Sequence, residues 1–97
     1  MNAGTPGFEL DRRHNEIANM SLIELRRAGS FHSAMHSAHE GYAVLLEEVD
    51  ELWEQVKFNP KTEPERRQRV VNMRKEAIQI AAMAMRFVHD ICDKEPA

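Results

Sequence analysis

The sequence predicts an all-α chain: an antiparallel helical bundle completed by oligomerisation. Three observations carry this expectation. Apolar residues recur at steps of three and four through Tyr42, Leu45, Leu46, Val49, Leu52, Trp53 and Val56, the period of one helix face. The capping pattern Ser/Thr-x-x-Glu occurs at Ser21–Glu24 and at Thr62–Glu65, each a sign of a helix start. No stretch alternates apolar and polar residues between turn signals, as a half-buried strand would.

The elements follow in order. Residues 1–9 read as a flexible leader, with two glycines and a proline in its first seven positions, and residues 10–94 as a single helical domain. "ELDRRHNEIANMSLIELRRAGS" favours helix throughout; Ser21 and Glu24 place a break near Asn19 to Ser21, and Gly29 closes the helix. A second helix is expected from just after Ser30 to about Lys57. "FNPKTEPE" holds two prolines, and Pro64 falls in a first turn where its missing N–H costs little, so a third helix starts near Glu63.

From Val70 to Cys92 apolar residues cover most of the helix circumference, leaving a polar strip of Asn72, Lys75, Glu76, Gln79, Arg86 and Asp90. A helix apolar nearly all round is a buried helix. Two further helices can hardly cover it, so a second copy of the chain is expected to do so. Trp53 and Tyr42 are assigned to the core by their periodic placement, Met73, Met83 and Met85 to gap-filling, and Cys92 to an inert buried position.

Composition bounds the function. With 97 residues, 42% apolar and 30% charged, the chain has the make-up of one folded domain. A net charge of −3 supplies no basic field for a phosphate backbone, which argues against a nucleic-acid polymer as partner. One cysteine forms no internal disulfide, and "MNAGTPGFELDRR" has no apolar core of signal-peptide length, so a reducing cytoplasm is the expected compartment. The longest apolar run, "AIQIAAMAM", is too short for a bilayer, and no membrane association is expected.

The chemistry concentrates in "LLEEVDELWEQV", where Glu47, Glu48, Asp50, Glu51 and Glu54 crowd together although like charges at helical spacing repel. At about 100° per residue, Glu47, Glu48 and Glu51 share a quadrant with Glu40 two turns earlier, while Asp50 and Glu54 point elsewhere. Carboxylates three or four residues apart can converge on a hard divalent cation, and Glu76 on the mostly apolar third helix could add to them. A solvated acidic face explains the same residues. His32, His36 and His39 also share a face, at a spacing compatible with a transition metal but with no fourth ligand nearby; plain polar surface is the better reading.

"EEVDE" at Glu47 to Glu51 has the form Glu-Glu-x-x-Glu, and "EAIQ" follows at Glu76 to Gln79. Over roughly Gly41 to Ile91 the chain resembles the MazG-like all-α nucleoside triphosphate pyrophosphohydrolases, whose signature is Glu-Glu-x-x-Glu on one helix and Glu-x-x-Asp on the next. The resemblance implies a homodimer or homotetramer that cleaves a nucleoside triphosphate to the monophosphate and pyrophosphate with Mg²⁺, or Mn²⁺, in nucleotide-pool house-cleaning. It implies Glu48, Glu51, Glu76 and Gln79 as metal ligands and Glu47 as the residue that holds or deprotonates the attacking water. Such a reaction needs cations near the phosphates, and Lys57, Lys61, Arg74, Lys75 and Arg86 are available: Arg86, on the strip with Glu76 and Gln79, is the first choice for a phosphate contact, with Lys57 and Lys75, and an Arg86–Asp90 pair within the helix is an equally good reading of the same guanidinium. The chain departs from the pattern at Gln79, which stands where the family has aspartate and brings no charge. The rival reading is therefore a non-catalytic helical oligomer or partner-binding protein that keeps the fold without strong metal binding.

Overall fold

The computed structural model describes residues 6–29 and 34–94, which are helical with short connections and contain no strand. Helix α1 spans Pro6–Gly29, α2 Ala38–Lys57 and α3 Glu63–Phe87, and α3 continues into a π-turn over Val88–Cys92.

α1 is one uninterrupted helix, not the broken one expected. Ser21 is buried, and its hydroxyl donates to the Ile17 carbonyl at 3.1 Å, so it serves a backbone acceptor one turn back and caps nothing. The helix also starts at Pro6, inside the stretch expected to be leader; proline suits a first turn, where its N–H has no intrahelical partner. Arg12 bridges Glu9 and Glu16 on the exposed face.

α2 starts later than expected, because Ser37 caps it by accepting from the Glu40 N–H at 3.0 Å, and residues 34–36 are not helical. The intervening residues 30–33 lie outside the described ones. At its other end Arg69 of α3 donates to the carbonyls of Gln55 and Val56, at 3.0 and 2.7 Å, which the last helical turn leaves open. α3 begins as the sequence predicts: Thr62 accepts from the Glu65 N–H and Glu65 accepts from the Thr62 N–H, with Pro64 in the first turn.

α3 is the element on which the other two pack. The short 58–62 connection makes α2 and α3 an antiparallel hairpin, with Gly41 beside Phe87 and Gln55 beside Arg69 and Asn72. α1 runs parallel to α3, Met20 meeting Arg74 and Glu24 meeting Gln79. The buried core is small: Ala28, Met35, Ala82 and Met83, flanked by Leu25, Val44, Leu45, Phe87 and Ile91. Gly41 is where α2 comes closest to the end of α3. A Cβ there would stand 2.6 Å from Phe87 Cδ2 and 3.1 Å from Met35 Sδ. Gly41→Ala is expected to destabilise by up to about 2 kcal/mol in urea unfolding, because overpacking of about 1–3 kcal/mol is offset by only roughly 1 kcal/mol that alanine gains in helix propensity.

The expectation that Trp53 and Tyr42 are core residues is overturned within the single chain. They are 56% and 64% exposed, and Leu46, Val49 and Val56 of the same stripe are exposed with them. The reason is geometric: α2 packs mainly against α3, and a single helix covers less than the whole apolar stripe. α3 also leaves Val70 and Val71 in solvent, and Cys92, expected to be buried, is exposed. The accessible surface is 7267 Å², against about 5,700 Å² for a compact monomer of this mass. The radius of gyration is 16.4 Å, against about 12.5 Å for a compact chain of this length. Among the described residues no helix is long and apolar enough to cross a membrane.

Candidate functional site

The antiparallel α2–α3 hairpin sets the site. Glu48 and Glu51, one turn apart on α2, face α3 at the level of Glu76, and one oxygen from each of the three carboxylates lies within 4.8 Å of the others. The oxygens around one octahedral Mg²⁺, at about 2.1 Å each, span up to about 4.2 Å. The three carboxylates are thus within small side-chain adjustments of sharing one ion.

Their electrostatics express the crowding. Burial, followed by the charges of Glu51 and Glu76, pushes the Glu48 carboxyl up to about 7. Glu76 is raised too, by burial first and then by Glu51. The charge of Glu51 bears on both. Each added charge makes the next harder to hold, and the arrangement calls for protons or a cation.

Gln79 sits against this cluster, one turn beyond Glu76. One terminal atom of its amide lies 3.1 Å from Glu48 Oε2 and 3.2 Å from Glu76 Oε2, and the other faces Glu24 of α1. With the nitrogen toward the cluster, Gln79 donates to both carboxylates; turned about, its Nε2 donates to Glu24 at 3.4 Å and its oxygen faces the cluster. The second orientation puts three sets of acceptors together and is favourable only with a proton or a cation between them. The donor set therefore fits a hard divalent ion: three carboxylates and an amide oxygen, with no sulfur or imidazole.

Beside the cluster a cavity of about 310 Å³ opens where the three helices meet, with Glu24, Arg27, Glu40, Glu47, Glu48, Gln79 and Arg86 supplying polar wall and Ala28, Met35, Val44 and Met83 apolar floor. Glu47 is exposed on this wall. Arg86 is buried, its Nε 3.3 Å from Asp90 Oδ2, so it meets both the cavity and its helical partner. Lys75 lines an adjoining groove of about 670 Å³ between α1 and α3, with Met20, Ile23, Val71, Arg74 and Ile78. Lys57 lies at the end of α2 on Glu54, 2.7 Å away, and lines neither. Of the histidines, His36 lies 3.6 Å from Glu40, His39 is exposed, and His32 is outside the described residues.

Sequence reasoning left Glu24, Arg27 and Met35 out of the site. A signal for the first two was present: Ser21, Glu24 and Ala28 recur at three- and four-residue steps, and the two small residues mark the side of α1 that approaches α3. Arg27 grips Glu24 and holds its carboxyl below the usual range. Met35 lies in a connection without periodicity and gave no such signal.

Comparison of the chain with protein-family models, with curated proteins and with solved structures finds no significant match.

Proposed function

We propose that the protein is a Mg²⁺-dependent nucleoside triphosphate pyrophosphohydrolase, releasing the monophosphate and pyrophosphate. The observation that carries this reading is the convergence of Glu48, Glu51 and Glu76 from two packed helices, with Gln79 as a fourth donor, beside a cavity large enough for part of a nucleotide. The motif resemblance supplies the reaction class; the geometry supports it by giving the motif residues a common focus.

Glu48, Glu51, Glu76 and the Gln79 oxygen would hold the cation. When bound, a divalent ion offsets triphosphate charge and acidifies bound water. The chain's own groups do the rest. Glu47, on the cavity wall next to Glu48, orients a water toward the α-phosphorus and takes its proton as the bond to the pyrophosphate oxygen breaks. Arg86 presents its remaining guanidinium N–H groups to phosphate oxygens while Asp90 fixes its direction, and Lys75 adds positive charge from the groove side. Met35, Val44 and Met83 give the non-phosphate part an apolar surface. The exposed face of Tyr42, Leu46, Val49, Trp53 and Val56 supports assembly into a homodimer or homotetramer, with a role in keeping the nucleotide pool clean inside the cell.

Purified protein incubated with a panel of common and modified nucleoside triphosphates and Mg²⁺ is expected to release pyrophosphate from at least one, and to sediment above the 11.2 kDa of a single chain. No pyrophosphate from any of them sinks the enzyme reading and leaves the non-catalytic oligomer, which the missing charge at Gln79 favours.

A further inference from the structure

Gln79 is the one uncharged member of the cluster, and an amide has a donating end and an accepting end. With its nitrogen inward it hydrogen-bonds Glu48 and Glu76 and occupies acceptors that a cation needs. To become a ligand it must turn about, which moves the N–H group away from the cluster and toward α1. There the nearest acceptor is Glu24, whose Oε1 lies 3.4 Å from Nε2 in that orientation. Glu24 is itself fixed: Arg27 holds it from the next turn, and its side chain is only 21% exposed. It also lies on the wall shared by the cavity and the adjoining groove, so it stands where the two meet at Gln79.

We propose that Glu24 is a positioning residue for the cation site: by accepting the Gln79 amide N–H it turns the amide oxygen onto the ion and makes glutamine serve where a carboxylate would need no help. This rests on the hydrolase reading only through the existence of the cation site. It assigns α1 a function, since Glu24 reaches the carboxylate cluster through this amide. Two other roles for Glu24 are separable from it. A through-space attraction for the cation needs the charge and not the hydrogen bond; a structural strut affects folding and not the ion.

The test is Mg²⁺ affinity by calorimetry, with circular dichroism as the folding control. Glu24→Ala removes the acceptor and should weaken binding about tenfold, close to the worth of one hydrogen bond to a charged group. Glu24→Gln keeps an accepting oxygen without the charge and should stay within about threefold of the wild type. In a Gln79→Glu background the ligand needs no orienting, and Glu24→Ala should change affinity by less than about twofold. Equal losses in Glu24→Ala and Glu24→Gln, or the same loss in both backgrounds, overturn the positioning role and leave the cation site standing. A wild type that binds no Mg²⁺ at millimolar concentration overturns both together.

Discussion

Glu51→Gln is expected to lower pyrophosphate release by at least about 100-fold, beyond the 10- to 100-fold typical of residues that only support a ligand, and to raise the melting temperature of the metal-free protein at neutral pH. The two effects have one cause. Glu51 is the carboxylate that both Glu48 and Glu76 face. Removing its charge takes away an oxygen anion that the cation needs and, without a cation, takes away the repulsion that the folded state must bear. The variant should therefore melt higher in a chelator and lack the upward shift with Mg²⁺ that is expected of the wild type. A surface glutamate without a shared focus would give neither. An unchanged chelator melt together with unchanged activity would mean that the three carboxylates act as separate solvated charges.

The same cluster fixes a pH dependence. Glu48 holds its proton up to about 7 in the folded chain, while an unfolded glutamate releases it near 4.3. A folded-state value above the unfolded one stabilises the protein while the proton stays on, and that stabilisation is lost as pH rises between the two. The metal-free wild type should thus melt higher at pH 5 than at pH 8, Mg²⁺ should narrow the difference, and Glu51→Gln should reduce it.

How much of this was legible from the residues depends on what each inference required. Helical arithmetic alone puts Glu47, Glu48 and Glu51 in one quadrant and makes Glu76 the acid of an otherwise apolar helix; a tight connection with Thr62 as cap then brings the two clusters level. Those steps need only the helix period and one turn, which are local. Trp53 and Tyr42 went the other way, because periodicity tells which side of a helix is apolar and says nothing of how much of it a neighbour covers. Ser21 misled for a related reason: its side chain could cap a helix or bond back to Ile17, and in an unbroken, buried stretch of α1 it does the latter. The spacing of Ser21, Glu24 and Ala28 marks the side of α1 that approaches α3, but that Glu24 meets Gln79 depends on α1 lying parallel to α3, a tertiary fact that the spacing does not contain.

Asp90→Ala is expected to cost about 3–5 kcal/mol of stability, the range for removing one partner of a buried ion pair, read as a lower urea midpoint at unchanged slope. Asp90 is buried just beyond α3 and joins three parts of the chain. Its Oδ2 accepts the Met35 N–H at 3.0 Å and lies 3.3 Å from Arg86 Nε, while its Oδ1 lies 2.8 Å from His89 Nδ1. Alanine leaves a backbone N–H without its acceptor in the connection between α1 and α2, and leaves a buried guanidinium without its counter-charge. His89, then the Met35 N–H, hold the carboxyl down at about 2. A folded-state value below the unfolded one stabilises the protein above about pH 4, and that contribution goes as pH falls toward 2. Acid should therefore unfold the wild type in that window while the alanine variant, already without the carboxylate, shows a flatter dependence there. The two titrations do not overlap, since Glu48 responds between about 4.3 and about 7. Because Asp90 also directs Arg86 into the cavity, Asp90→Asn separates its two roles: the amide can retain the Met35 contact through its oxygen but gives Arg86 no charge. It should recover part of the stability while nucleotide binding stays weak, and full recovery of both would mean that Arg86 needs no counter-charge to be held in place.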